Sequence, residues 1–309
     1  LICLKTRNPI IFAFHPNAQQ SSVAAAKVVY EAAIKAGAPK HCIQWIEHPS
    51  MEATSALMNH KDVSTILATG GNAMVKAAYS CGKPALGVGA GNVPAYMEKS
   101  CDIKQACNDI VLSKSFDNGM ICASEQALIV DKERYQETMK ELESFGCHIC
   151  DAKEKALLEK FMFNVSSKDD VANAKLNPNV VGQSAYWIAK NAGFEVPEKT
   201  IILLVKCSLV GVSEPMTREK LSPVLAVLKA NSTEEGLNLS KKMVEFNGLG
   251  HSASIHTKDE KLVDKFGDLI PAIRIIWNSP STFGGIGNVY NSFLPSLTLG
   301  CGSYGHNSI

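Results

Sequence analysis

Residues 66–88 read ILATGGNAMVKAAYSCGKPALGV. The apolar run Val63–Ala68 ends at Gly70-Gly71, and Asn72–Ser80 carries a helical pattern. Gly82-Lys83-Pro84 then breaks that pattern, and Ala85–Val88 is apolar again. Strand, glycine turn, helix, breaker, strand describes a βαβ unit, whose helix returns the chain so that the two strands run parallel. The paired glycines let backbone approach a ligand closely, and the helix N-terminus offers N–H groups to anionic or polar atoms. A plain βα turn uses the same residues, so this stretch decides a fold before it decides a site.

The alternation extends in both directions. Upstream, Ile10–Phe14 and Cys42–Ile46 read as short strands, and Ser21–Ala36 and Ser50–Asn59 as helices. Lys27, Glu31 and Lys35 form one solvated stripe on an otherwise apolar cylinder, which predicts that the Ser21–Ala36 helix is mostly buried. Downstream, Cys101–Lys114, Lys132–Phe145 and Glu234–Phe246 read as helices, and Ala127–Val130, Ile201–Val205 and Val224–Leu228 as strands. Phe116–Gln126 is an irregular polar loop. Pro280–Ser308 is rich in Gly, Ser, Asn and Pro and reads as a long loop of the kind that carries function. The pattern predicts an α/β fold with parallel strands and helices on the sheet faces.

Composition excludes several classes. The 309 residues are 46% hydrophobic and 20% charged with net charge +1, an ordinary globular profile without the basic footprint of a nucleic-acid or membrane-surface protein. The apolar runs are too short to span a bilayer, and the N-terminus lacks a signal-peptide pattern. Ten cysteines in a chain this long point to a reducing compartment rather than a disulfide framework, hence to the cytoplasm. Cys147-His148-Ile149-Cys150 is a lone CxxC with no second pair at zinc-site spacing, so its plain reading is a helix-to-strand junction that contains two thiols.

Four further stretches could carry chemistry. Gly87-Val88-Gly89-Ala90-Gly91-Asn92-Val93-Pro94 lacks the GxGxxG pattern, and its alternate glycines signal either ligand contact or tight packing. Cys122 lies in the polar loop 116–126, where a thiol can be reached by substrate, and Cys301 is the other loop cysteine flanked by small residues. His251 follows Gly248-Leu249-Gly250 and is either a structural hydrogen-bonder or an acid/base group. Glu219, in Arg218-Glu219-Lys220-Leu221-Ser222-Pro223, reads by itself as a surface carboxylate.

Taken together, Thr69–Gly71, Gly87–Pro94, Phe116–Gln126, Glu219–Pro223, Gly248–His251 and Pro295–Ser303 resemble the aldehyde dehydrogenase superfamily, in the same order. The similarity covers nearly all of the chain. The Phe-Asp-Asn-Gly…Cys-Ala-Ser-Glu-Gln stretch is specific to the CoA-acylating branch, which includes the aldehyde dehydrogenase half of bifunctional aldehyde-alcohol dehydrogenases. The resemblance implies a Rossmann-type cofactor-binding domain over residues 1–90, a catalytic domain over 91–294 with its nucleophile loop at 116–126, and a C-terminal segment, 295–309, that returns to the cofactor site.

The resemblance also implies roles. The Cys122 thiolate attacks an aldehyde, hydride leaves for NAD, and CoA takes the acyl group from the resulting thioester; acyl-CoA is reduced by the reverse steps. Backbone N–H at Cys122 helps hold the oxyanion. His251 is the candidate acid/base group for CoA attack, or merely orients the acyl group. Thr69, Gly70 and Gly71 approach the dinucleotide, Gly89 lies near its nicotinamide end, Glu219 holds the nicotinamide ribose and Leu299 packs near the ring. Hydrolytic relatives carry a general-base Glu where this chain has Val88, 34 residues before Cys122; Val cannot activate water, which favours a thiol acceptor.

Members of the superfamily carry roughly a hundred further residues before the segment that starts here. These include strands of the cofactor sheet and an Asn that completes the oxyanion hole. The sequence therefore reads as a fragment of a longer protein that is a homo-oligomer when intact, with small-molecule partners and no nucleic acid or membrane. A hydrolytic aldehyde dehydrogenase and an inactive structural segment of a larger enzyme are the competing readings.

Overall fold

The computed structural model describes residues 2–165, 171, 174–287, 291, 292 and 294. Two compact units are present. One comprises residues 1–66 and 81–84, the other 67–80 and 85–309. The smaller unit holds α1 (Ile2–Lys5), β1 (Ile10–Phe12), α2 (Gln19–Lys35), β2 (Ile43–Trp45) and α3 (Met51–Asn59). β1 and β2 pair in parallel, and Ser50 caps α3 through the Ala53 N–H at 3.0 Å.

α2 corrects one expectation. Ala26 is its only buried residue, and Val28 is 68% exposed. Charge spacing identifies the apolar side of a helix but does not supply the surface that would cover it.

The quoted βαβ stretch follows: β3 (Ile66–Thr69), α4 (Asn72–Ser80) and β4 (Ala85–Val88), of which all but Ile66 and the 81–84 breaker fall in the larger unit. The Ile66 N–H donates to Pro84 O and the Gly70 N–H to Val88 O, so the two strands run in the same sense. The early strands thus form two separate pairs among the described residues, β1–β2 and β3–β4, rather than one sheet.

The rest of this unit runs β5 (Val93–Met97), α5 (Ile103–Ser115), β6 (Glu125–Asp131), α6 (Tyr135–Ser144), β7 (Cys147–Cys150), α7 (Ala152–Phe163), α8 (Ala185–Ala192), β8 (Ile202–Lys206), β9 (Val224–Ala230), α9 (Thr233–Asn247), β10 (Ser252–His256), α10 (Glu260–Leu269), β11 (Arg274–Trp277) and α11 (Ser281–Ile286). Seven strands make one parallel sheet in the order β11-β10-β5-β6-β9-β8-β7.

Alternate residues of each strand feed opposite cores, as the period of two requires. Leu128 and Val130 join Ile110 of α5 and Leu142 of α6 on one face. Ala127 and Ile129 join Leu237 of α9 and Phe266 of α10 on the other. A further cluster on Leu203 and Val205 holds α7 and α8. Both faces are covered, as parallel sheets require.

Four strands of this sheet were not read as strands in the sequence: β5, β10, β11, and β7, which takes up the whole Cys147–Cys150 stretch read as a helix-to-strand junction. β5 carries Pro94 as its second residue, which cannot donate to a ladder, and the register shifts between Val93 and Pro94. β10 reads Ser-Ala-Ser-Ile-His and is wholly buried; Ser254 Oγ donates to Pro94 O at 3.3 Å. β11 follows a helix that the sequence reading did not anticipate. The expected loop from Pro280 instead starts with α11, whose residues Ser281–Gly285 are buried. Leu299, Cys301 and the rest of the 295–309 segment lie outside the described residues.

Candidate active site

β10, β5, β6 and β9 are neighbours in the sheet, and each is entered from a stretch singled out in the sequence. Asn92, with Gly91 before it, precedes β5; Cys122 precedes β6 by three residues; Glu219 lies in the loop before β9; His251 immediately precedes β10. Because the strands are parallel, all four approaches fall on the same rim of the sheet, the amino rim.

Gly91 joins them. Its N–H donates to Glu219 Oε1 at 2.9 Å. A Cβ at this position would stand 2.3 Å from the Cys122 carbonyl oxygen and 3.1 Å from Cε1 and Nε2 of His251. Gly87 is packed in the same way, with Val75 Cγ1 2.5 Å from the Cβ position. The alternate glycines of 87–91 are therefore a packing device at both of these positions. The reading of Glu219 as a surface carboxylate is replaced by a half-buried group bound to the backbone of the glycine segment.

Cys122 lies in a tight turn beside the start of β6, closed by the Ser124 N–H donating to Ile121 O at 2.9 Å. Burial, then the Glu219 carboxylate, pushes its thiol up to about 11, while the N–H groups of Cys122 and Ala123 favour the thiolate. The group therefore rests as a thiol at neutral pH. Glu219 itself is pushed up to about 7, by burial and against the Gly91 hydrogen bond, Lys114 and Lys220.

His251 is fully buried. Its Nδ1 lies 3.2 Å from Ser252 Oγ, and its Nε2 has no hydrogen-bond partner. Burial, then the Arg274 charge, lowers its pKa to about 4, so the imidazole is neutral across the physiological range.

The supporting residues were not singled out by sequence reasoning. Asn92 Nδ2 donates to Thr217 O at 3.0 Å and to Met243 O at 2.9 Å, tying the Glu219 loop to α9. Lys220 is fully buried, and its Nζ lies 3.0 Å from Gln126 O, 2.8 Å from Met216 O and 2.8 Å from Arg218 O. Burial pulls its pKa well down. Three carbonyl acceptors, however, need three N–H donors, which only the ammonium form has. We therefore take Lys220 as charged, a cation that staples β6 to the loop carrying Glu219.

Ser281 Oγ donates to Ala123 O at 2.8 Å and its N–H to Glu125 Oε1 at 3.1 Å, so α11 braces the turn from behind. Asn92 and Lys220 stood beside nominated residues, and their polarity next to apolar strands was the available signal.

Thr69, Gly70 and Gly71 lie at the carboxyl end of β3 and are exposed. No atom lies within 4 Å of a Cβ position at Gly71, so the turn leaves room for a ligand against the start of α4. Gly89 and Val88 are buried at the end of β4. The chain leaves β4 and enters β5 within the four residues 89–92. The carboxyl end of the β3–β4 pair is thereby joined directly to the amino rim of the large sheet.

The Aldehyde dehydrogenase family profile matches residues 2–145, and the chain belongs to that family. An aldehyde-alcohol dehydrogenase of Streptococcus pneumoniae is 67% identical over 310 residues, covering 100% of this chain and 35% of its own length. The chain thus spans about a third of the length of such curated relatives. The crystal structure of an acetylating aldehyde dehydrogenase from Geobacillus thermoglucosidasius has a TM-score of 0.90 at 44% identity, over 98% of this chain and 65% of that one. A Rhodopseudomonas palustris propionaldehyde dehydrogenase, solved with bound CoA and an acylated cysteine, has a TM-score of 0.85 at 26% identity, over 95% and 64%.

No described helix is long and apolar enough to cross a membrane.

Proposed function

We propose that this rim interconverts a short-chain aldehyde plus CoA with acyl-CoA, using NAD and a thioester on Cys122. The observation that carries the reading is Gly91, whose backbone meets Cys122, Glu219 and His251 at once. Relatives whose names describe acetylating and CoA-bound enzymes support it.

Thr69, Gly70, Gly71 and Gly89 would hold NAD, with Glu219 on the nicotinamide ribose; the open space at Gly71 fits close backbone approach. When bound, NAD accepts the hydride that leaves the aldehyde carbon. The Cys122 proton must leave before attack, and Glu219, at about 7, is able to take it near neutral pH. Sγ of Cys122 then bonds to the carbonyl carbon, and the N–H groups that favour the thiolate lie at the same turn. After hydride loss the acyl group remains on Sγ, and the CoA sulfur displaces it to regenerate Cys122.

A group with pKa about 4 is a weak base at neutral pH. His251 therefore serves better as a neutral hydrogen-bonding partner that orients the acyl group through its unpaired Nε2. Val88 places a buried alkyl group where hydrolytic relatives carry their base, so the thioester waits for a thiol. The homo-oligomeric state of the intact protein and its place in the cytoplasm belong to the same proposal and rest on the resemblance.

The test is NADH formation from acetaldehyde by the intact protein, with and without CoA. Strict dependence on CoA, with an acyl adduct on Cys122 by mass spectrometry after mixing with acyl-CoA, is expected. Rapid turnover without CoA would overturn the reading.

A further inference from the structure

The CxxC of β7 does not act as a pair. Residues three apart on a strand point to opposite faces. Cys147 is buried in the core under α5 and α6, and Cys150 in the core under α7 and α8. No disulfide joins the described cysteines. His148 and Cys150 are two apart and share a face.

α7 starts one residue beyond the strand. Asp151 caps it, its carboxylate accepting from the N–H groups of Lys153 at 2.7 Å and Glu154 at 2.9 Å. Glu154 completes the capping box by turning its carboxylate back to the Asp151 N–H, 2.9 Å away. The same oxygen lies 2.9 Å from His148 Nε2. An imidazole nitrogen, a thiol sulfur and a carboxylate oxygen consequently lie within 4.8 Å of one another.

We propose that His148, Cys150 and Glu154 form a three-ligand site for a borderline divalent cation of the zinc type, separate from the Cys122 rim. The donor set suits such an ion, for which nitrogen, sulfur and oxygen ligands are all usual. Tetrahedral coordination at ordinary zinc distances separates ligand atoms by about 3.3–3.6 Å. Side-chain rotations that open the His148–Glu154 pair slightly and draw Cys150 inward by about an ångström reach that geometry, by the same ligand lengths.

The His148 and Glu154 side chains are 28% and 19% exposed, which leaves an entry path and a fourth position for water. Binding releases the Cys150 proton to solvent and leaves the thiolate on the metal. Burial and the neighbouring Glu154 and Asp151 carboxylates push that thiol up to about 12, and the cation supplies the counter-charge that offsets this. The site would pin β7, an edge strand of the sheet, to the start of α7.

Cobalt(II) titration of the protein tests the inference. One cobalt per chain with a thiolate-to-cobalt charge-transfer band is expected, displaced by zinc. The band should vanish in Cys150→Ser, weaken at least tenfold in apparent affinity in His148→Gln, and persist in Cys122→Ser. Thermal unfolding with zinc gives a second readout: the midpoint rises for the unsubstituted chain and for Cys122→Ser, but not for His148→Gln or Glu154→Gln, should Cys150→Ser fail to fold. Absence of a charge-transfer band, its survival in Cys150→Ser, or its loss in Cys122→Ser overturns the proposal.

Discussion

The two rims of the seven-stranded sheet treat their polar side chains differently. At the carboxyl rim of β10, β5 and β6 these groups are spent on one another. Tyr96 Oη donates to Asp131 Oδ1 at 2.8 Å, the Lys99 N–H to Asp131 Oδ2 at 3.0 Å, and Thr257 Oγ1 to Glu98 Oε2 at 2.9 Å. Ser100 joins Glu98 through both its N–H and its hydroxyl. His256 Nε2 is the exception, unpaired at the end of β10. At the amino rim, Asn92 Oδ1, Glu125 Oε2, Ser222 Oγ and His251 Nε2 are all buried without partners.

Unpaired buried polar atoms cost stability, so a cluster of them on one rim calls for an explanation. Their coincidence with Cys122 fits the proposed function, in which the carboxyl rim holds and the amino rim reacts. In open α/β sheets ligands usually meet the carboxyl ends of strands. The proposed cofactor residues follow that rule at β3 and β4, and the link 89–92 leads from there to the amino rim of the seven-stranded sheet.

The contrast can be broken most directly by exchanging the effects of two small substitutions. Cys122→Ser is expected to lower CoA-dependent turnover by on the order of 10³-fold or more, as nucleophile removal does elsewhere. Ser100→Ala, at the other rim, should leave turnover within a factor of about two. Steady-state assays on the intact protein check both, and comparable losses would erase the distinction between rims.

Gly91→Ala comes next. Its Cβ meets a backbone oxygen at 2.3 Å, so the Cys122 turn must shift, and a displacement of about an ångström costs on the order of 10²-fold in rate. Unchanged kcat in this variant would mean that turnover does not depend on close packing at Gly91.

Tyr96→Phe sharpens the comparison from the holding side. It deletes a donor to the buried Asp131 carboxylate and should cost about 1–3 kcal/mol in denaturant unfolding without changing kcat. A loss of activity at full stability would show that the carboxyl rim takes part in the chemistry.

The smallest effect concerns charge. Glu219 raises the Cys122 thiol pKa, because a nearby negative charge disfavours the thiolate. Glu219→Gln removes that charge, so the pH midpoint of Cys122 alkylation should move down from about 11. A midpoint that stays or rises would mean that burial alone sets it.

Some of this was legible in the chain and some was not, for identifiable reasons. Asn72–Ser80 and Ala85–Val88 form a helix and a strand with the bounds that their apolar pattern and the Gly82-Lys83-Pro84 breaker indicate. Cys122 and His251 were nominated by motif context, and the fold delivers both to one rim. β10 was not legible, because serines and a histidine carry no apolar alternation; its burial is supplied by the neighbours β5 and β11. β5 was masked by Pro94, where the register shifts. The Ser21–Ala36 helix was correctly located and wrongly buried, since a pattern names a face and not its partner.

The sequence by itself determined the local grammar of this protein. Apolar runs, breakers and glycine pairs mark parallel α/β units because those signals act over a few residues. It also nominated the thiol, through a loop context and a family resemblance. Strand order was decided only by the tertiary structure. The adjacency of β10, β5, β6 and β9 brings together residues separated by up to 160 positions in the chain. Protonation states were decided there too. Cys122 at about 11, Glu219 at about 7 and His251 at about 4 depart from their ordinary values chiefly through burial, a property of the packed molecule that no local stretch of sequence contains.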